Sequence, residues 1–463
     1  MQLKPRLAGF FVLQYNIGGF SMHKLESMDI RHLVVSMSVP IALSMLMSAL
    51  YNIIDSMFVA GYSQQALLSV SLCYPIQTLM IAIACGIGVG FNTVLARYLG
   101  EQKPEMASQS VLNGMLLALI SWLLFLAFGF LGSRWFLGLF TREAEVIAQG
   151  DAYLKICCGF SFAIFFQITF ERIMQATGRP MYNLAIQGTG ALINIILDPV
   201  FIFTFNLGVA GAAIATVIGQ VTAMGLGIWI THRKVPEIHM DIRKFRWDGP
   251  LMLRILQIGI PAMVMQAVMS FMSVFMNWIL MPFSAMAVSV FSVYIKLQQF
   301  VFMIVMGFTN ALIPIVSFNF GARRKDRIFP AVRFSLMMAT AIMLAGTILF
   351  QLIPGPLLAL FNANQDMYAI GIPCLRIISL SFVFAGVSMI LCSAFQALGH
   401  PGMSLGITLL RQLVLLIPMT AILTHLYGLD AGWSAFVVTE VICAILSILE
   451  WGKVKKQVDL QLA

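Results

Sequence analysis

Apolar residues fill this chain in blocks of about twenty, and polar residues collect in the short gaps between them. A helix rises about 1.5 Å per residue, so a hydrocarbon core of about 30 Å takes roughly 20 apolar residues. Twelve blocks of that length begin near residues 33, 67, 107, 146, 182, 210, 252, 287, 328, 367, 403 and 431. The pattern predicts an all-α integral membrane protein of twelve transmembrane helices. The gaps leave no room for a soluble domain.

The blocks repeat as a set. A shift of 221 residues places Pro40 on Pro261, Gly86 on Gly307, Gly100 on Gly321 and Gly211 on Gly432. It also lays Met174-Gln-Ala-Thr-Gly-Arg-Pro180 over Phe395-Gln-Ala-Leu-Gly-His-Pro401. We therefore expect two pseudo-symmetric six-helix bundles, an N-lobe at 33–231 and a C-lobe at 252–451. The basic segment 232–251 links them, and 1–32 and 452–463 form the terminal segments. Six spans is an even number, so both halves share one orientation, a parallel repeat typical of transporters.

Composition agrees. The chain is 60% hydrophobic and 10% charged, with a mean hydropathy of +0.91, where a soluble domain would be about 25% charged. Its net charge of +9 arises in particular loops, around Lys24 and Arg31, Arg97 and Lys103, Arg179, Arg233 to Arg246, Arg323 to Arg327, and Lys453 to Lys456. These are alternate loops, which is the positive-inside arrangement and puts both termini and the linker in the cytoplasm of a cell-membrane protein. That placement accounts for the charge without nucleic acid. The loop with Arg134, Arg142, Glu143, Glu145 and Asp151 is a mixed exception. Seven cysteines show no metal-ligand spacing and read as packing residues. The apolar run Leu7 to Phe20 carries no cleavage motif, and the start of translation at Met1, Met22 or Met28 is open.

Two acids stand inside apolar blocks, Asp55 in the first and Asp198 in the fifth. An ionisable group at such depth costs roughly 2.5 to 3.5 kcal/mol on insertion scales, so it usually faces a partner, a cavity or an ion. Asn194 and Asp198 share a helix face, and Asn183 and Gln187 extend it as a polar stripe. Thr216 follows in the small-residue stretch Gly208 to Thr216, which lets helices approach closely, and Tyr51 and Asn52 precede Asp55 by about one turn. If the two acids meet, mutual repulsion and desolvation favour one of them holding a proton. The oxygens of Asp198, Asn194 and Thr216 alternatively suit Na⁺ as a hard cation. No cofactor is expected beyond this coupling ion. At the same offset Asp55 maps to Met276 and Asp198 to Met419, so the acids belong to the first half alone. Pro40 and Pro199 are positions where a helix can kink.

The second half has its own charges: Lys296, Arg376, Arg411 and Glu440. We expect Arg411 to snorkel, and Lys296 and Glu440 to pair with each other or line a cavity. Glu171 and Arg172 read as snorkelling neighbours at a helix end. Of the 31 methionines, most read as core or lipid-facing.

From about Met28 onward these residues resemble the multidrug and toxic compound extrusion (MATE) transporters, most like the DinF-like branch. The resemblance rests on Asn52-Ile-Ile-Asp55, Met174 to Pro180, Asn194 to Pro199, Gly208 to Thr216, and Ile313 to Gly321. It implies that Asp55, Asn194, Asp198 and Thr216 form an N-lobe proton or cation site, with Tyr51 beside it and Pro40 at the bend of the first helix. It implies export of amphipathic and cationic drugs, small organic molecules, in exchange for inward H⁺ or Na⁺. The NorM-like branch has further acids in the seventh and tenth spans, where this chain has Gln266 and Arg376, so coupling is expected in the N-lobe.

A lipid-linked oligosaccharide flippase is the alternative; it would want a cationic cavity, for which Lys296, Arg376 and Arg411 are the candidates. No His-Glu-x-x-His helix or Gly-x-Ser-x-Gly elbow is present, so an enzyme is not expected. Duplicated bundles and one-sided acids disfavour a passive channel, and a monomer is the default state.

Overall fold

The computed structural model describes residues 23–238, 240–361 and 363–462. The apolar run Leu7 to Phe20 and the start at Met22 lie outside them. Among the described residues ten helices are each long and apolar enough to cross a membrane, and two bent pairs supply two more spans. In the first half the spans are Ile30–Tyr62, Gln64–Gly100, Pro104–Leu131, the pair Ala144–Gly159 and Phe162–Ala176, then Pro180–Thr204 and Gly208–Lys234. The second half holds Gly249–Leu280, Ala285–Gly321, Lys325–Leu352, the pair Gln365–Ser379 and Phe382–Ala397, then Pro401–Tyr427 and Leu429–Gln461. The pairs bend by 44° and 47°.

Each spanning helix starts two or three residues before its apolar block. The first turn of a helix has N–H groups with no intrahelical acceptor, so polar residues and proline belong there. Pro104, Pro180 and Pro401 each occupy that position, and Ser63, Asp248, Ser284 and Asn364 cap other starts with a side-chain oxygen. Hydropathy cannot see this turn.

The duplication extends to backbone detail. Helices that begin at Gln64, Pro104, Ala144, Pro180 and Gly208 recur at Ala285, Lys325, Gln365, Pro401 and Leu429, each 221 residues on. The left-handed turn at Gly178 (φ 72°) recurs at Gly399 (φ 87°), and that at Gln102 (φ 55°) recurs at Arg323 (φ 54°).

The halves meet through the second span against the seventh and eighth, and the eighth against the first. Glycine makes these approaches possible. A Cβ at Gly86 would lie 2.2 Å from Met263 Cγ, and one at Gly307 would lie 2.6 Å from Ala42 Cβ, a pair of contacts related by the repeat. A Cβ at Gly100 would fall on the Phe318 carbonyl, and one at Gly321 on that of Arg97. All four glycines lie in the halves of their spans nearest the basic loops. At that same end a short helix, His23–Ser27, is held by Arg327, which donates to Leu25 O at 3.2 Å and Met28 O at 2.6 Å. The linker is fastened by a nearly buried ion pair, Arg179 to Glu237 at 2.9 Å, and by Gln109 Nε2 donating to Lys244 O at 2.7 Å.

Candidate functional site

The first span packs on the fifth and the fifth on the sixth. What draws the fifth and sixth together is a pair of glycines: a Cβ at Gly219 would sit 2.7 Å from Gly190 O and 3.3 Å from Asn194 Cβ. This close backbone approach brings Thr216 to the polar stripe of the fifth span. Asn194 Nδ2 donates to Asp198 Oδ1 at 3.2 Å and to Thr216 Oγ1 at 3.3 Å. The small-residue stretch works as expected, for a Cβ at Gly211 would also strike the Phe201 carbonyl at 2.7 Å.

Asp198 is fully buried, and its carboxyl interacts with that of Asp55, which is half-buried. Two ionised carboxylates are both acceptors, so they bond to each other only when one carries a proton. Asp55 Oδ1, Asp198 Oδ2 and Asn194 Oδ1 have no hydrogen-bond partner among the described residues. Three acceptors left open in one buried place call for a proton, a cation or a donor group. Tyr51 lies one turn before Asp55 and interacts with it. Asn52 is exposed; its amide donates to Ser48 O at 2.8 Å, and its side chain also interacts with Tyr51.

Pro199 directly follows Asp198, and there the α-helix gives way to a π-helical turn, Val200–Thr204. Proline has no N–H to donate and its ring crowds the preceding turn, which loosens the helix beside the acid. Pro40, by contrast, sits buried inside one unbroken helix, Ile30–Tyr62.

A separate polar network lies about two turns before Asn194 on the same helix. Gln187 donates to Ser48 Oγ and accepts from Gln167 Nε2 at 2.8 Å, which also donates to Glu171 at 2.9 Å. Glu171 and Arg172 are half-buried and internally bonded, so the expectation that they snorkel is wrong. A signal was available: Gln167, Glu171 and Gln175 stand four apart, a polar stripe on one helix face.

The second half corrects a pairing. Glu440 pairs with Arg411 at 3.4 Å, each side chain 14% exposed, so Arg411 does not snorkel. Lys296 is exposed and lies 6.0 Å from the centre of the Phe361 ring instead of against Glu440. Gln266 and Arg376 are also exposed. Among the described residues no cluster of three His, Cys, Asp or Glu side chains could hold a metal ion.

Two stretches, residues 40–200 and 261–422, match the MatE family model, one in each half. The protein belongs to the MatE family. Relatives are similar over nearly the whole chain of this MatE protein. The multidrug export protein MepA of Staphylococcus aureus (strain MSSA476) is 26% identical over 434 residues, covering 92% of this chain and 95% of its own. MepA of Staphylococcus haemolyticus (strain JCSC1435) is 26% identical over 437 residues, with coverages of 91% and 93%. The solved structure of a MATE protein in complex with MaL6 superposes with a TM-score of 0.89 at 24% identity, covering 95% of this chain and 99% of that one. An outward-facing multidrug resistance MATE transporter gives 0.89 at 24%, with coverages of 96% and 99%. The fold of this MatE chain is thus that of the twelve-helix, two-bundle MATE transporters.

Proposed function

We propose that this protein is a secondary antiporter exporting amphipathic and cationic compounds in exchange for inward H⁺ or Na⁺, coupled at Asp55 and Asp198 as in the DinF-like branch. The observation that carries the reading is the set of three unpartnered oxygens on Asp55, Asp198 and Asn194, inside the one bundle that has the acids. Its relatives are named multidrug export proteins, which agrees with that cargo. The second half has no equivalent acid pair, since Met276 and Met419 stand in those places.

In this reading the N-lobe (33–231) and C-lobe (252–451) rock about the segment 232–251, with both termini and the basic loops in the cytoplasm of a cell-membrane protein. In the same reading the glycine contacts hold the lobes closed at that end, and a cleft opens toward the other side. Protons or Na⁺ arriving there neutralise the acid pair, with Asn194 and Thr216 as the further ligands for Na⁺. Neutral and charged pairs favour different facing states, and a ligand shifts that equilibrium by its differential affinity. Export of a cation works against the membrane potential, about 2.3 kcal/mol per charge per 100 mV, and the entering ion offsets this. A flippase for lipid-linked oligosaccharides is not favoured: Lys296 and Arg376 lie exposed, and Arg411 is neutralised by Glu440.

The test is efflux of a fluorescent organic cation from proteoliposomes under a proton gradient or a sodium gradient alone, with Asp198→Asn as control. Efflux driven by one gradient and lost in the variant supports the reading and names the ion. Efflux under neither overturns it.

A further inference from the structure

Arg172 lies in the fourth span, in the first half of the molecule, yet it reaches into the second. Its Nη1 donates to Asn310 Oδ1 of the eighth span at 2.9 Å and to Gln175 Oε1 at 2.9 Å. Asn310 is held ready for it, because its own amide donates to Met306 O at 2.9 Å and leaves the oxygen facing the arginine. Space for the guanidinium comes from Gly88 of the second span, where a Cβ would lie 3.1 Å from both Arg172 Cγ and Nε. Asn310 is eleven residues, some 16 Å, from the end of its helix at Gly321.

The bond does not stand alone. Gln175 Nε2 donates to Asn183 Oδ1 at 3.3 Å, Asn183 Nδ2 donates to Ser44 Oγ at 3.0 Å, and Asn92 Nδ2 also donates to Gln175 Oε1 at 3.4 Å. Ser44 lies on the first span and Asn183 on the fifth, the two helices that carry Asp55 and Asp198. An unbroken hydrogen-bonded chain therefore joins the helices of the acid pair to a helix of the other lobe, with Arg172 as the crossing point.

We propose that Arg172 is a positioning residue for transport: its bond to Asn310 latches the two lobes in the closed arrangement seen at the basic-loop end, and the first and fifth spans act on that latch through Gln175 and Asn183. The inference rests on the antiport reading for its role in transport, but the latch itself is readable without it. In the arrangement that opens this end, Asn310 moves away with the second lobe, and Arg172 keeps Gln175 as its partner.

The experiment measures spin-label distances between Met181→Cys and Gly402→Cys, repeat-related exposed positions at the basic-loop ends of the fifth and eleventh spans, with the native cysteines replaced. A hydrogen bond to a charged group is worth on the order of tenfold in an equilibrium. Arg172→Met and Asn310→Leu should each raise the open-to-closed ratio about tenfold. Arg172→Lys, which keeps a charged donor, should fall between them and the parent. Asn310→Asp turns the bond into an ion pair and should favour the closed distance, lowering kcat for efflux with KM little changed. Identical distance distributions in parent, Arg172→Met and Asn310→Asp, all monodisperse in detergent, would overturn the latch. If distances shift as stated while the parent moves no cargo, the latch stands and the antiport reading falls.

Discussion

Glu440 occupies in the second half the place that Gly219 holds in the first, 221 residues earlier, and Arg411 likewise stands where the first half has Gly190. In the first half the two positions bring backbone against backbone, with a Cβ on Gly219 only 2.7 Å from Gly190 O. In the second half the same two positions carry an ion pair at 3.4 Å. One layer of a duplicated fold has thus been used in opposite ways. Glycines close the N-lobe around Asn194 and Asp198, while a salt bridge fills the C-lobe where it has no acid pair of its own.

Gly219→Ala should therefore injure the site more than its size suggests. The new methyl would press on a backbone carbonyl that cannot turn aside and on Asn194 Cβ at 3.3 Å. Overpacking of this kind costs about 1–3 kcal/mol. We expect a lower melting temperature and weaker efflux. Gly225→Ala in the same span, where a Cβ meets nothing within 4 Å, is the control and should behave as the parent.

The C-lobe pair gives a different pattern. Arg411→Met alone strands Glu440 in an apolar bundle and should cost about 3–5 kcal/mol, whereas Arg411→Met with Glu440→Met should melt near the parent. Thermal unfolding of purified protein in detergent reads this directly. Equal losses in the single and double variants would show that the pair is not the unit.

Much of this architecture was legible from residues alone. Apolar block lengths located the spans, and the offset that aligns Gly178 with Gly399 anticipated a repeat visible even in backbone φ angles. Asn194, Asp198 and Thr216 were legible because four-residue spacing and a small-residue stretch fix which faces meet. The partner of Glu440 was not legible. Lys296 and Arg411 were both ionisable residues in apolar segments, and only packing of the eleventh span on the twelfth decides which one faces the acid. Arg172 was misjudged for a related reason: a charge near a helix end looks solvated until the opposite lobe is seen to close over it.

Asp55 and Asp198 should behave as one group. Asp55→Asn and Asp198→Asn should each abolish most ion-driven efflux, and the double variant should be no worse than the weaker single, because residues acting as a unit are not additive. Initial efflux rates in proteoliposomes provide the measurement. Independent, multiplicative losses would separate the two acids.

At the turn after the second span, burial alone would raise the carboxyl of Glu101, but bonds from Lys103 at 2.8 Å and Arg97 at 3.2 Å, with their charges, hold it below its ordinary value of 4.5. A folded value lower than the unfolded one means the stabilisation is complete above pH 4.5 and is lost as pH falls through the folded value. Glu101→Gln should remove that part of the acid sensitivity. Melting temperatures measured from pH 7 down to about 3 would show a flatter low-pH limb in the variant.

The short helix His23–Ser27 makes the first span a shared member. Its entry is tied to the second half by Arg327 and by Arg324, which donates to Glu26 O at 3.3 Å, and its next turns lie against Gly307. Its far end carries Asp55 to the fifth span of the first half. A rod fixed to two bodies that rotate apart has to flex between its fixings. The first span changes sides within two residues, from Gly307 against Ala42 to Asn183 bonded at Ser44, so the helix that bears Asp55 belongs wholly to neither half.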